Sequence, residues 1–543
     1  MEFTSFQLVY NSQLGYYVHD MNQAQHRFSL DTLKEIRIVG YFAHSKFRQV
    51  FLFAFASILF LITAYLWFIS FGLWTSLPTP ESYYFYDQLA TAFEHGQLSL
   101  DKRPSAALLA LHNPYDPSTR AGIDYITDFS LYNGKYYLYF GPVPALFLTF
   151  IKPFVPGKIG DQYLVFVFVS GICIVQSLLI IKIWERFFHD IPVWMVPLGI
   201  LFSGLVSPFA WILTQARVYE AASASGQFFF LTGLYFVITS LGQESISSTR
   251  LFLAGISWAL AIGSRLTQVI PIGFVTLMVA WLALRNYHQT RLLSKTLSSL
   301  AAFALPLAIG LAALGSYNWV RFHSIFETGF SYQLAGPYLQ KYKDVLFSPL
   351  YIIPNLYNYL IMPPTINKAF PFVQSVTGNG ASIFSFIDLP AIYFSRQLTG
   401  LLFSIPFILF SAILIIPFLP GKNEPIDKKS RNNDSYLFKW TAISLFGSFL
   451  FGFAPLALYF WLATRFFTDF TPSLVLLSVI GFWQGYAFLI DRPVSRKLYV
   501  ALGFTLIIIS IIISNLLALS AQAGDFQRFN PILWNHLNNL FSR

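Results

Sequence analysis

Acidic side chains and arginines gather at a few places in an otherwise apolar chain. Between Leu77 and Gly160 lie Glu81, Asp87, Glu94, Asp101, Asp116 and Asp128. Arg217 and Glu220 stand three residues apart, and Arg265 and Arg465 fall where apolar stretches end. Arg321, Glu327 and Asp388 belong to a second long polar and aromatic stretch. A carboxylate can take a proton from a hydroxyl or ligate a divalent cation. A guanidinium holds a phosphate through two parallel N–H bonds. The set therefore suits chemistry on a phosphorylated substrate. Glu81, Asp87 and Glu220 are the catalytic candidates, and Arg217, Arg265, Arg321 and Arg465 the phosphate-binding ones. Tyr86, Lys135 and Tyr139 are the substrate-binding candidates. If a divalent cation such as Mg or Mn takes part, Glu81 and Glu220 are its expected ligands.

Each group also has a structural account. Glu81 in a first helical turn complements the helix dipole. Asp87 and Glu94 form a wet helix face. Arg217 and Glu220 have ion-pair spacing on a helix. Arg265 and Arg465 can snorkel to lipid headgroups, although ionisable residues at span depth mark functional sites by default. Asp128 and Asp388 read as solvated loop residues. His95 and His112 lack a metal-ligand spacing, and aromatic belts account for many of the tyrosines.

The elements that must position these groups are membrane spans. Of 543 residues 55% are apolar, 11% are charged and 59 are Phe, which excludes a soluble domain. The net charge of +10 comes from basic residues flanking the spans, the orientation signal of a membrane protein rather than a nucleic-acid footprint. Cys173, the one cysteine, lies in a span, so neither an internal disulfide nor a Cys-based metal site is expected. The first 46 residues are polar and show neither a cleavable signal peptide nor a Gly-rich phosphate loop.

The expected fold is an all-α integral membrane protein of about eleven transmembrane helices. The spans are 49–75, 161–184, 193–213, 227–241, 251–263, 269–284, 296–314, 399–419, 440–462, 470–490 and 498–519. Placing the basic clusters at Lys182, Arg250, Arg291, Lys428 and Arg496 in the cytoplasm makes the N-terminus cytoplasmic and the C-terminus external. The units are then a cytoplasmic segment 1–48, a module 49–314 with external loop 77–160, a second external loop 315–398, a module 399–519 and an external tail 520–543.

Within the first loop, Thr79 caps a helix with Pro80 in its first turn. Tyr86, Leu89, Ala90 and Phe93 form its apolar face and Asp87, Thr91 and Glu94 its polar one, so the helix lies in the interface plane. Asn113-Pro114-Tyr115-Asp116-Pro117 is turn chemistry, and Tyr132 to Tyr137 is a hairpin turning on Asn133-Gly134. The apolar stretch from Gly141 to Pro156 is short for a span and is expected to be interfacial or re-entrant.

The layout resembles the GT-C superfamily of polytopic glycosyltransferases, including protein-mannosyltransferase-like members and bacterial arabinosyl- or galacturonosyltransferase-like members that modify lipids. ESYYFYDQLATAFEHGQL is similar to the family pattern of an acid, a Tyr and a helix ending in Gly. YFGPVPALF resembles the Pro-Pro-Leu segment closing that loop, and ARVYEAASASGQFFF the acid-bearing second loop. YNWVRFHSIFETGFSYQLAG and RFFTDFTPSL look like blocks of bacterial relatives, and the resemblance covers residues 50–500. Many relatives carry adjacent acids at the loop's start, whereas here Glu81 is followed by Ser82, with Asp87 five residues beyond.

The resemblance implies a GT-C-like bundle with a large first external loop of interfacial helices. It implies an inverting glycosyltransferase of a bacterial plasma (inner) membrane. The donor is a polyprenyl-phosphate-linked sugar and the acceptor an envelope lipid, glycan or protein. The rival classes are a transporter or lipid flippase, and a polymerase or ligase of envelope polysaccharide. Transport is disfavoured by charges confined to one rim and by the lack of an evident internal repeat.

Overall fold

The computed structural model describes residues 45–74, 84–240, 246–377, 384, 386–418 and 430–541. Glu81, Thr79 and Pro80 lie outside the described residues. Among the described residues eight helices are long and apolar enough to cross a membrane: Lys46–Ile69, Asp161–Phe187, Met195–Thr214, Val218–Ser240, Leu266–His288, Leu293–Phe322, Asp434–Ala457 and Pro493–Ala521. Three further helical segments, Ser248–Ser264, Pro406–Phe418 and Thr471–Phe488, occupy the other three expected span positions. The protein is thus an all-α polytopic membrane protein. In hydrocarbon only a helix or a closed barrel satisfies its own backbone, which is why each apolar run folds this way.

We number the elements used below in chain order. The helices are α1 (Ser45–Ile69), α2 (Phe85–Glu94), α3 (Val143–Ile151), α4 (Asp161–Phe187), α5 (Met195–Leu205), α6 (Phe209–Thr214), α7 (Val218–Ser240), α8 (Ser248–Ser264), α9 (Val269–Thr290) and α10 (Leu293–Phe322). They continue with α11 (Ser430–Ala457), α12 (Thr471–Phe488), α13 (Pro493–Ala521), α14 (Ala523–Phe529) and α15 (Pro531–Phe541). The short strands are β1 (Ser130–Tyr132), β2 (Lys135–Tyr137), β3 (Val376–Thr377), β4 (Phe394–Ser395), β5 (Gln397–Leu398) and β6 (Trp461–Leu462).

The two long loops form one cap at one end of the bundle. The Asp128 amide donates to the Leu334 carbonyl at 3.0 Å, and the Leu334 amide returns a bond to Phe129 at 2.8 Å. Ser130 Oγ reaches Gly329 O at 2.7 Å, and Asn113 Nδ2 reaches the Tyr338 hydroxyl at 2.6 Å. Basic residues gather at the other end, where Lys46 Nζ bonds to His189 O at 3.4 Å and Arg186 approaches Asp434 at 3.6 Å.

The first loop differs from expectation in two respects. The described part of α2 begins at Phe85, and its first N–H groups are capped from a distance rather than locally. Asp161, at the start of α4, accepts from the Phe85 and Tyr86 amides at 3.2 and 3.0 Å. A carboxylate beside orphan N–H groups stabilises a helix start wherever it comes from. Second, Asp87 is not on a wet face. It is buried, at 4% exposure, with Lys152 Nζ at 2.9 Å from its carboxylate. The same Lys152 amine donates to Thr91 Oγ1 at 2.6 Å, and the Ile159 amide donates to Asp87 at 3.2 Å. Only Glu94 of the three polar residues is exposed.

Between these anchors α3 has nine residues, followed by a 3₁₀ turn Lys152–Phe154. At about 1.5 Å per residue α3 is roughly 14 Å long, half a hydrocarbon core, so it does not cross. Gly141 fits against the end of α8, where an added Cβ would lie 2.1 Å from the Gly263 carbonyl oxygen. The hairpin pairs Ser130 with Tyr137 and turns through Asn133 (φ 47°) and Gly134 (φ 70°), the primed turn that Asn-Gly favours. The C-terminal helices fold back onto α1, with Phe526 and Trp534 packed against Phe71 and Phe370.

Candidate functional site: an arginine-lined cavity under the cap

A cavity of about 330 Å³ opens at the capped end, lined by Arg217, Tyr219, Glu220, Arg396, Arg465 and neighbouring side chains. Arg217 immediately precedes α7, and Tyr219 and Glu220 lie in its first turn. Arg465 is carried by the 3₁₀ segment Thr464–Asp469. Arg396 sits between β4 and β5, which pair with different partners: β4 parallel with β6, and β5 antiparallel with β3. The Arg396 amide donates to Leu462 O at 3.0 Å, and Thr464 Oγ1 donates to Gln397 O at 2.8 Å. Two residue pairs of parallel ladder thus hold Arg396 beside the segment that carries Arg465.

The arginines crowd one another. Arg396 is held below its ordinary value by partial desolvation, then by Arg465 and Arg217, with Glu220 opposing. Glu220 is 2% exposed, and its Oε2 has no hydrogen-bond partner among the described residues. The Arg465 guanidinium lies 4.7 Å from the Tyr219 ring centroid, a cation–π contact. The Tyr219 hydroxyl donates to Asp128, whose other oxygen accepts from Gln333 Nε2 at 3.2 Å. Burial, followed by Asp128 and Tyr219, holds the Tyr139 hydroxyl well above its ordinary value. Asp128 is therefore no solvated loop residue. It ties both loops of the cap to the start of α7.

The other predicted residues are elsewhere. Arg265 does not line the cavity; its Nε donates to both oxygens of Asp469 at 2.7 and 2.9 Å, and Thr267 Oγ1 adds a bond at 3.2 Å. Burial raises the Asp469 carboxyl, with Arg265 as the main opposing influence. Arg321 donates to Leu138 O at 2.9 Å and Asn318 Oδ1 at 2.8 Å and stacks over Tyr317 at 3.8 Å, fastening the end of α10 to the segment after β2. Lys135 is exposed on the hairpin. Tyr86 is fully buried, and its hydroxyl has no partner among the described residues.

Sequence reasoning missed Arg396, although the rule that singled out Arg465, an arginine at the external edge of an apolar run, applies to it equally. Lys152 and Asp469 carried no local signal. Glu81, one of the two expected cation ligands, lies outside the described residues. Among the described residues no three His, Cys, Asp or Glu side chains converge. The one carboxylate lining the cavity shares it with three guanidiniums.

The chain is similar to solved structures of one enzyme. The oligosaccharyltransferase of Archaeoglobus fulgidus in its apo form aligns at TM-score 0.43 and 12% identity, over 90% of this chain and 60% of that one. The same enzyme tethered to an acceptor peptide containing the NVT sequon aligns at TM-score 0.44 and 12% identity, over 90% and 59%. Its complex with Zn and sulfate aligns at TM-score 0.41 and 11% identity, over 90% and 57%. The chain thus spans about three fifths of the length of those structures. No protein-family model matches the chain. No curated protein matches it either.

Proposed function

We propose that this protein is an inverting membrane glycosyltransferase that moves a sugar from a polyprenyl-phosphate-linked donor to a hydroxyl-bearing envelope lipid, glycan or protein. The observation that carries the reading is the cavity, where Arg217, Arg396 and Arg465 meet beside one buried carboxylate. Guanidiniums in a partly desolvated recess bind phosphate strongly.

In the reaction the acceptor oxygen attacks the anomeric carbon from the face opposite the phosphate. Glu220 takes the hydroxyl proton as the new C–O bond forms. The bond from carbon to phosphate oxygen breaks, its electron pair stays on the phosphate, and the arginines stabilise that charge. Glu81, the first-loop acid singled out by sequence, is the second carboxylate assigned to this chemistry. Asp87 is assigned to structure, because Lys152 and the Ile159 amide already occupy it. Arg265 is assigned with it.

The capped end faces outward from a bacterial plasma membrane, with the N-terminus inside. A cysteine replacing Ser430 should stay unlabelled by an impermeant reagent in intact cells and react after lysis; labelling before lysis would reverse the active face. The decisive test is transfer of radiolabelled sugar from a synthetic polyprenyl-phosphate donor to an envelope extract by the purified protein. Envelope glycans that are unchanged by mass spectrometry when the protein is removed would refute the reading.

A further inference from the structure

We infer that Asp128 is a positioning residue of the cavity: it holds the Tyr219 ring, and the ring holds the Arg465 guanidinium in the orientation an anion needs. This rests on the proposed reading of the cavity as a phosphate site, whatever the phosphate is attached to. Tyr219 and Arg465 line the cavity, and Asp128 is not among the lining residues. Asp128 therefore acts on a ligand through Tyr219 rather than by touching it.

The backbone commits Asp128 first. Its φ of 64° is left-handed, a region that few residues other than Gly enter and that Asp and Asn tolerate best. Pairing between the two loops of the cap keeps it there. The Asp128 amide donates to Leu334 O at 3.0 Å, the Leu334 amide donates to Phe129 O at 2.8 Å, and Ser130 pairs with Gln333 as an isolated antiparallel bridge. Both carboxylate oxygens are then used. One accepts from the Tyr219 hydroxyl and the other from Gln333 Nε2 at 3.2 Å.

Arg465 needs a support of this kind. Among the described residues ion pairing takes Arg265 to Asp469 but gives Arg465 no carboxylate within ion-pair distance. Its guanidinium lies instead against two rings, 4.7 Å from the Tyr219 centroid and 5.1 Å from that of Phe466. A ring face attracts a guanidinium without accepting from its N–H groups in the way a carboxylate does, so the fork stays available to an anion. A bidentate bond depends on the orientation of that fork as much as on its charge. The Tyr219 ring is fixed in turn by Phe140, nearly perpendicular to it at 5.3 Å, and by the hydroxyl bond to Asp128. Gln333, Asp128, Tyr219 and Arg465 thus form one line of contacts from the second loop, through the first, to the cavity wall. Docking of the two loops becomes part of anion binding, although neither Gln333 nor Asp128 lines the cavity.

The test measures binding of inorganic phosphate to the full-length protein in detergent by phosphorus NMR titration, with unfolding midpoints recorded alongside. Asp128→Gly removes the carboxylate and leaves the left-handed backbone accessible. It should weaken phosphate by about 10-fold, the scale of one lost charge-assisted hydrogen bond. Asp128→Asn also accepts that backbone and still offers an oxygen to the Tyr219 hydroxyl, so it should keep most of the parental affinity. Tyr219→Phe keeps the ring and loses the hydroxyl, and should weaken phosphate as Asp128→Gly does. The two changes together should cost no more than either alone, because both break the same bond. In Arg465→Lys, where the fork is gone, adding Asp128→Gly should lower affinity little further. If Asp128→Gly does not fold as the parent does, Tyr219→Phe decides alone. A lower unfolding midpoint with unchanged phosphate affinity in Asp128→Gly, unchanged affinity in Tyr219→Phe, or losses that add in the double variant would each overturn the positioning role and leave the phosphate site standing. A parent protein that binds no phosphate overturns the phosphate site and the inference with it.

Discussion

The cavity and the buried ion pairs use the same residue types to opposite ends. At Lys152–Asp87 and Arg265–Asp469 each charge faces a counter-charge at 2.9 and 2.7 Å, and neighbouring hydroxyls or amides supply further bonds. Such pairs are closed: they hold elements together and have little left for a ligand. In the cavity neither Arg396 nor Arg465 has a carboxylate within ion-pair distance among the described residues. A charge taken out of water without its own partner is costly, so the cavity favours a bound anion and the pairs do not. An arginine at the edge of a span is therefore a candidate site only when its counter-charge has to come from elsewhere.

The largest effect should come from the cavity's acid. Glu220→Gln preserves shape and removes the proton acceptor. Turnover should fall by about 10²–10⁴-fold, the range a general base contributes, with the unfolding midpoint unchanged. If transfer by the purified variant proceeds at the parental rate, Glu220 is not the base, and Glu81→Gln becomes the variant that decides.

The closed pairs should fail differently. Lys152→Met leaves Asp87 buried without its cation, which costs about 3–5 kcal/mol for pairs of this kind. Lys152→Met combined with Asp87→Leu should recover most of that loss, because two apolar groups of similar volume need no counter-charge. Turnover per folded molecule should survive in the double variant. A double variant that folds well and is inactive would return Asp87 to the catalytic set and erase the contrast drawn here.

That contrast marks where the sequence stops being legible. The spans could be read because a run of some twenty apolar residues has few other stable outcomes. The hairpin could be read because Asn-Gly dictates its own turn. Within the site, Arg217, Glu220 and Arg465 were visible as charges at span edges. What could not be read was pairing across distance. Asp161 caps a helix that begins 76 residues earlier, and Arg265 finds Asp469 across 204 positions. Nothing in the local pattern around Asp87 or Arg265 distinguishes a closed charge from an open one. The periodicity that put Asp87 on a wet face was silent about Lys152, which buries it.

A smaller effect separates the two kinds of arginine. Arg465→Lys keeps charge but loses the fork, and donor KM should rise about 10-fold with kcat little changed. Arg265→Lys should leave donor KM alone and lower the unfolding midpoint, because it weakens only an internal bond. Matching KM changes in the two variants would place Arg265 at the phosphate after all, as its position at the end of a span first suggested.

The smallest effect belongs to a third kind of charge, exposed and locally bonded. Asp116 accepts from the Ser118 amide at 2.9 Å and the Ser118 hydroxyl at 2.8 Å, capping the turn Pro117–Arg120. The Ser118 hydroxyl bond first, and then its amide bond, hold the Asp116 carboxyl below the usual carboxylate range. For an acid whose folded value is depressed, the stabilising contribution is present above the unfolded value and is lost as pH falls through the folded one. Protection of the Ser118 amide from hydrogen exchange, corrected for the intrinsic rate, should therefore decline in acid while the bundle stays intact. Asp116→Asn still offers an oxygen to that amide but does not titrate, so its protection should be lower near neutrality and flat with pH. A pH dependence that persists in Asp116→Asn would assign the acid response to another group. It would also show that charges at the cap's surface are coupled more tightly than their exposure suggests.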